Sequence, residues 1–286
     1  MNILTDILTI LKKSIKADMD KRQEFIQWCR GRYDIASPKT IQDKIQWLKL
    51  NDSTPLKTKC ADKILLHEYC KEKLGEDICI PILKIFDGKN IKFDGLPDSF
   101  VLKCNHGSGM NIIVKDKSKL DKNTAVKRLS AWLDSDFATR NHYEWHYHNI
   151  QHKAYVEKYM NDGHNDLIDY KFLCFNGIPM FCQVISDRSS KMKHLNYYNM
   201  NWEPCKELSR IDFPANYSIQ HEKPKSFDTM VKYAEILAKD FKFVRVDFYE
   251  IDGKIYLGEL TFTPGSGTFK YKNKSDELYV GSLLKL

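Results

Sequence analysis

No apolar stretch of this 286-residue sequence approaches the length that crosses a bilayer, so no membrane-spanning helix is expected. Met1-Asn-Ile-Leu-Thr-Asp6 lacks the basic start of a secretory leader, and Asp6, Lys12 and Lys13 interrupt the apolar run. The eight cysteines form no CxxC pair and follow no regular spacing, which argues against a disulfide framework. The expectation is a cytoplasmic protein with free thiols. Net charge is +7, yet no run of five like charges occurs, so the lysines do not build a nucleic-acid tail. Repeats and low-complexity segments are also absent. What is present suits a globular enzyme: 42% hydrophobic and 29% charged residues, with length for one large or two small domains. A mild positive balance suits an anionic substrate such as a nucleotide or an acidic glycan.

One stretch places charge where charge is costly. Phe243-Val-Arg-Val-Asp-Phe-Tyr249 and Lys254-Ile-Tyr-Leu-Gly-Glu-Leu-Thr261 flank an Asp252-Gly253 turn signal, which predicts a β-hairpin. Alternation puts Phe243, Arg245, Asp247 and Tyr249 on one face of the first strand. Ile255, Leu257, Glu259 and Thr261 share a face of the second. A carboxylate among apolar neighbours needs a cation, a donor or a metal. Two carboxylates beside an arginine offer hard oxygen ligands for Mg²⁺ and a fixed cation for phosphate or an oxyanion. The plainer reading is an edge hairpin with a buried Arg–Asp pair. Parity sets a condition on the metal reading. A plain two-residue turn opposes Asp247 to Gly258 and sends Glu259 to the wrong side. The metal reading therefore predicts a three-residue loop, or a two-residue turn with one bulge.

Ser99 to Val114 reads as strand, glycine-rich turn, strand, with Val101, Lys103 and Asn105 on one face. Lys103 lies just before His106-Gly-Ser-Gly109, so it can reach phosphate oxygens while backbone N–H groups of the turn close over them. No Gly-Lys-Ser/Thr follows, so this is not a Walker A loop. Ile78–Ile85, Lys153–Met160, Asp169–Gly177 and Met180–Ser186 are further β segments. Ala61–Gly75, Asp121–Leu133 and Phe227–Asp240 are predicted helices, the last with Met230, Ala234, Leu237 and Ala238 inward. Residues 189–226 are polar and irregular, and an insertion of that length is usually functional or mobile. Arg188, Lys191 and Lys193 are either contacts to a γ-phosphate or acidic acceptor, or part of a solvated loop. His142, His146 and His148 suggest either zinc or an aromatic-rich surface segment.

Residues 1–58 read as a helical N-terminal region: residues 2–16, a second helix to about Arg32, and Thr40–Leu50. Lysines 12, 13 and 16 gather at the end of the first helix. That helix either docks on the body of the protein or lies on an anionic membrane surface.

The order of these motifs resembles the ATP-grasp ligases. Arg245-x-Asp247, Glu259-x-Thr261 and Pro264-Gly265 resemble their metal-binding end, with Thr261 where many relatives have asparagine. More closely, Lys44-Ile-Gln-Trp-Leu-Lys-Leu-Asn-Asp52, Leu102-Lys-Cys-Asn-His-Gly-Ser-Gly109, Asp169-Tyr-Lys-Phe172 and Gly258-Glu-Leu-Thr-Phe-Thr-Pro264 resemble the teichuronopeptide-biosynthesis (TupA-like) ATP-grasp proteins. The resemblance implies an α+β ATP-grasp domain over residues 59–286, whose two β-rich subdomains, about 96–160 and 161–286, grip ATP. It implies Mg²⁺ on Asp247, Glu259 and Thr261. It places Lys63, Lys103, His106, Gly107, Ser108 and Gly109 at the phosphates. Glu157 would accept the adenine amino hydrogen, and the backbone of Lys158, Tyr159 and Met160 would pair with the ring. Asp162 or Asp166 would meet the ribose. Lys171, Arg188 and Arg245 would act on the moving phosphoryl group. The implied reaction joins a carboxylate of a uronic acid or glutamyl unit to an amine through an acyl phosphate, in surface polysaccharide synthesis. The alternative is a glycosyltransferase or sugar kinase of the same pathway.

Overall fold

The computed structural model describes residues 3–140, 142–161, 167–186 and 194–286, with side chains from residue 16 onward. Helices come first: α1 (Ile3–Cys29), α2 (Ile41–Asn51), α3 (Pro55–Ala61) and α4 (Leu66–Leu74). α1 is one helix where two were expected, because no proline or glycine interrupts residues 3–29. No helix among the described residues is long and apolar enough to cross a membrane. α2 begins at a capping box, in which Thr40 Oγ1 accepts from the Asp43 amide and Asp43 Oδ2 accepts from the Thr40 amide. The helix expected over Ala61–Gly75 begins only at Leu66, and a separate α3 ends at Ala61. Asp62 takes the Ile64 amide on its own carboxylate at 2.9 Å and so competes with the helical ladder.

The first sheet has the order β1-β4-β2-β3, from β1 (Ile82–Ile85), β2 (Phe100–Cys104), β3 (Asn111–Val114) and β4 (Ala154–Lys158). Between β3 and β4 lie α5 (Lys122–Leu133), capped by Asp121, and the short α6 (Phe137–Arg140). The second sheet has the order β7-β6-β5-β8-β9. Its strands are β5 (Asp169–Phe175), β6 (Ile178–Ser186), β7 (His194–Tyr198), β8 (Phe243–Ile251) and β9 (Lys254–Thr261). Helix α7 (Phe227–Ala238) precedes β8, and α8 (Lys274–Ser282) follows β9. The paired strands of both sheets run antiparallel. β7 falls in a stretch expected to be irregular. Its buried Asn196 hides the strand pattern, and that side chain is satisfied by the Asn216 amide and carbonyl.

The second sheet is covered on both faces. Phe172, Cys174, Val184 and Val246 pack under α7, in a core shared with the first sheet. Leu173, Phe175, Phe181 and Phe243 pack with Ile41, Ile45 and Leu48 of α2 and with Val280 of α8. By alternation, Asp169, Lys171, Arg245 and Asp247 share the face of Leu173, Phe175 and Phe243. One end of that face is apolar and capped by helices, and the other end is charged. α2 reaches past the apolar end. Its Gln46 Nε2 donates to the carbonyls of Ser266 and Gly267, at 3.1 and 2.9 Å.

α8 meets the start of α2 at Gly281. A Cβ there would lie 2.2 Å from the Lys39 carbonyl oxygen and 2.8 Å from the Ile41 nitrogen. Backbone atoms cannot step aside as a flexible side chain can. Gly281→Ala should therefore cost about 1–3 kcal/mol or more. Urea unfolding measures this, and an unchanged midpoint would contradict the packing described.

Candidate active site

The β8–β9 hairpin turns at Asp252 and Gly253, both at positive φ (52° and 72°), with Ile251 opposed to Lys254. This is the tight turn that Asp-Gly favours. The register then slips by one residue: Phe248 opposes Leu257, whereas Asp247 opposes Glu259, so Gly258 is the extra residue of a bulge. The second of the two geometries expected from parity is the one observed. Lys171, Asp247 and Glu259 form one rung across β5, β8 and β9, and Leu173, Arg245 and Thr261 form the next.

The charges on these rungs neutralise one another. Arg245 grips Asp247 with two bonds of 2.6 Å, Nε to Oδ1 and a terminal nitrogen to Oδ2. It also donates to Glu259 Oε1 and Thr261 Oγ1, each at 3.1 Å. Lys171 Nζ reaches Asp247 Oδ2 at 2.5 Å and Asp169 Oδ1 at 3.2 Å. Thr261 Oγ1 donates to Glu259 Oε1 at 3.0 Å. Asp247 is only 1% exposed, and burial pushes its carboxyl up against the pull of Arg245 and Lys171. The Glu259 side chain keeps 31% exposure. Burial pushes its carboxyl up too, but Lys63, Arg245 and Lys171 outweigh that and hold it far below the usual range.

The glycine-rich turn approaches this hairpin from the first sheet. Lys63 Nζ donates to the Gly107 carbonyl at 2.5 Å, and Lys103 pairs with Glu157 at 2.5 Å. Gly107 presses so closely on Phe137 that a Cβ would come within 2.7 Å of its ring. A cavity of about 200 Å³ lies between the sheets, lined by Lys63, Lys103, Lys171, Asp247, Glu259 and the turn Gly107–Gly109. A second cavity, of about 420 Å³, adjoins it. Ser108, Gly109 and Glu259 line both. The larger one adds Arg245, Thr261, Thr263, Ser266 and Glu144.

Not every residue singled out in the sequence faces this cleft. His106 is fully buried inside its own lobe, stacked on His152 with centroids 3.6 Å apart and bonded to the Trp132 carbonyl at 3.0 Å. The Lys158 amide is taken by the Pro81 carbonyl at 2.9 Å. Tyr159 and Met160 follow the end of β4, and neither lines the two cavities. Asp162, Asp166, Arg188, Lys191 and Lys193 lie outside the described residues. The histidines of the His142–His152 segment diverge: His142 stacks on Trp28, His146 packs on Phe262, and His148 faces Asp18. The segment is not a surface strip, since Glu144, His146 and Tyr147 are buried. A different trio, His67, Asp77 and Cys79, has potential ligand atoms within 4.8 Å of one another, but His67 Nδ1 already pairs with Asp77 at 2.7 Å.

Sequence reasoning missed Glu144, Thr263, Gln46 and Lys49. Gln42, Gln46 and Lys49 run beside the apolar stripe Ile41, Ile45 and Leu48 at the same helical spacing, and that polar stripe was the available signal.

Two antiparallel sheets closing on this cleft resemble solved ATP-grasp structures. The L-amino acid ligase from Bacillus licheniformis matches with a TM-score of 0.51 and 14% identity, over 88% of this chain and 56% of that one. D-alanine–D-alanine ligase from Bacillus anthracis, complexed with ATP, matches 72% of this chain and 54% of its own, at 16% identity and a TM-score of 0.43. The enzyme from Helicobacter pylori matches at 18% identity and a TM-score of 0.45, over 79% and 61%. The chain thus spans little more than half the length of these ligases. No curated protein matches it at a significant level. A profile described as TupA-like ATPgrasp matches residues 43–285. The chain belongs to the TupA-like ATP-grasp family, and its α+β ATP-grasp fold is the one expected from the sequence.

Two predictions follow from the buried charges. Lys171→Met leaves Asp247 and Asp169 without their ammonium and should cost about 3–5 kcal/mol. Denaturation measures it; a loss below 1 kcal/mol would mean that Arg245 alone neutralises the pair. The second concerns acid. Burial holds His106 down to about 4 and His146 down to about 3, and it pushes Glu144 up to about 7. Unfolded, these groups titrate near about 6.5 for histidine and 4.3 for glutamate. Between about pH 4.5 and 6.5 the unfolded chain therefore holds two extra imidazole protons and the folded chain one extra carboxyl proton. The unfolded state binds more, so stability should fall on acidification by on the order of 1.4 kcal/mol per pH unit. Glu144→Gln removes the opposing proton and should steepen the slope. Urea unfolding at several pH values in this window checks both, and a flat profile would contradict them.

Proposed function

We propose that this protein is an ATP- and Mg²⁺-dependent ligase that joins a carboxylate to an amine through an acyl phosphate. The acid is a uronic acid or glutamyl unit of a capsular or other surface polysaccharide, and the work is done in the cytoplasm. The observation that carries this reading is the two-lobed cleft. The smaller lobe gathers Lys63, Lys103 and Lys171 around the glycine-rich turn, as a polyphosphate needs. The larger lobe, joined to it at Glu259, is lined by hydroxyls, Arg245 and Glu144, as polar substrates need.

The donor set fits a hard divalent cation. Glu259, Asp247 and Thr261 offer oxygens from neighbouring positions on one face of paired strands, and Glu259 is far more open to the cleft than Asp247. Glu259 would hold Mg²⁺, with Asp247 and Thr261 beside it. Asp247 would first have to release part of its grip on Lys171. Bound there, the cation offsets charge on the transferred phosphoryl group. Lys63, Lys103 and the N–H groups of Gly107–Gly109 cradle the phosphates, and Glu157 would accept from the adenine amino group once it parts from Lys103. Lys171 and Arg245, held by Asp247 on neighbouring rungs, would add positive charge beside the transferred phosphoryl group as the acid's oxygen attacks the γ-phosphorus and ADP leaves.

The test is ADP release with glucuronate, galacturonate, UDP-glucuronate and L-glutamate against a panel of amines. Release that needs both an acid and an amine supports the ligase, and release with a sugar alone points to a kinase. Glu259→Gln should keep the melting temperature and lower turnover by at least about 10²-fold. Arg245→Lys should be nearly as damaging, because a point charge does not replace a bidentate fork. Calorimetry should show weaker ATP binding without Mg²⁺. Near-normal rates in both variants would remove the assignment.

A further inference from the structure

Glu144 is a carboxylate in an unusual position. It follows α6, just before a 3₁₀ turn at Trp145–Tyr147, and is only 6% exposed, yet it lines the larger lobe of the cleft. Its main chain is pinned, the amide donating to the Ala138 carbonyl at 2.7 Å and the carbonyl accepting from Tyr147 at 3.0 Å. The Thr263 hydroxyl donates to its Oε1. Lys49 faces it from α2, but the Lys49 ammonium is already bonded to the carbonyls of His142 and Ser266, each at 2.8 Å. Arg245, which lines the same lobe, is taken up by Asp247, Glu259 and Thr261. Among the described residues no ion pair reaches Glu144, although Lys49 acts on it through space. A buried anion held by hydroxyls, with its cations engaged elsewhere, is costly unless a further cation meets it.

We propose that Glu144 is the amine-binding residue of the cleft: its carboxylate receives the ammonium group of the acceptor substrate in the larger lobe. This deepens the ligase reading and rests on it. Thr261, Thr263, Ser266 and Thr268 add hydroxyl-bearing side chains to that lobe, so the acceptor is a small hydroxylated or zwitterionic amine, such as an amino sugar or an amino acid. Glu144 also serves the chemistry. The acceptor arrives as an ammonium ion, and one of its protons passes to the Glu144 carboxylate. The freed nitrogen lone pair forms the C–N bond at the acyl phosphate carbon, and the C–O bond to phosphate breaks. The remaining excess proton on nitrogen leaves with the phosphate. Burial pushes the Glu144 carboxyl up to about 7, which suits a group that takes a proton near neutral pH.

The experiment is calorimetry on the full chain, with Mg²⁺ and AMP-PNP and again without nucleotide. D-glucosamine is titrated against D-glucose, L-alanine against L-lactate, and ethanolamine against ethanol. At least one amine should bind tenfold or more tightly than its partner lacking nitrogen. Glu144→Gln should erase that preference and leave AMP-PNP affinity within twofold. No preference in the wild type, or a preference that survives in Glu144→Gln, overturns the proposal. A crystal structure of the wild type with the preferred amine decides independently of how the variant folds. Its nitrogen lies at the Glu144 carboxylate if the proposal holds, and a nitrogen elsewhere overturns it. Failure of AMP-PNP to bind would count against the ligase reading instead, and the titration without nucleotide would still decide the role of Glu144.

Discussion

Arg245 and Asp247 sit two residues apart on one strand, and their doubled hydrogen bond is the constraint on which the cleft depends. Alone, either charge would be too costly for the interior of a five-stranded sheet. Together, flanked by Lys171 and Glu259, they let a hydrophobic sheet face become polar within one rung. Leu173 packs under α2, while Lys171, the next residue on that face, opens on the cleft. A Gly258 bulge completes the set by turning Glu259 to the side of Asp247. Removing the bulge would keep the hairpin and lose the rung.

Most of this was legible in the sequence, for a physical reason. Charged residues inside alternating β runs stand out because alternation states which face they occupy. Arg245, Asp247 and Glu259 could therefore be read before any coordinates, and so could the demand for a bulge. Lys103 and the glycine-rich turn were legible for a similar reason. The misses share another cause. β7 pairs with β6 at the sheet edge but carries a buried asparagine, so its pattern looks like a loop. Asp62 breaks a helix through a local bond that propensity does not count. Glu144 is buried among aromatics by contacts more than a hundred residues away in sequence, and no window along the chain contains Thr263.

α2 is the least conspicuous part of the arrangement. Its apolar stripe closes the second core, and its polar stripe holds the turn after β9 through Gln46 and Lys49. Lys49 also holds the His142 carbonyl, so one ammonium ties together the two segments on either side of Glu144 and Thr263. Burial lowers that lysine to about 8, which leaves it charged at neutral pH. α2 thus braces, from behind, the two segments that carry Glu144 and Thr263.

All eight cysteines are reduced and buried, and they are spread through the structure. Cys29 lies in α1, Cys60 in α3, Cys104 in the first sheet, and Cys174 and Cys182 in the second. Burial raises the thiols of Cys29 to about 11 and of Cys60 and Cys104 to about 12, so they are nearly free of thiolate at neutral pH. A maleimide meets such a sulfur only when the layer above it lifts away. The chain therefore carries its own set of silent labels, one or more in each layer. The order in which they become reactive under mild denaturant would chart which parts of the molecule open first.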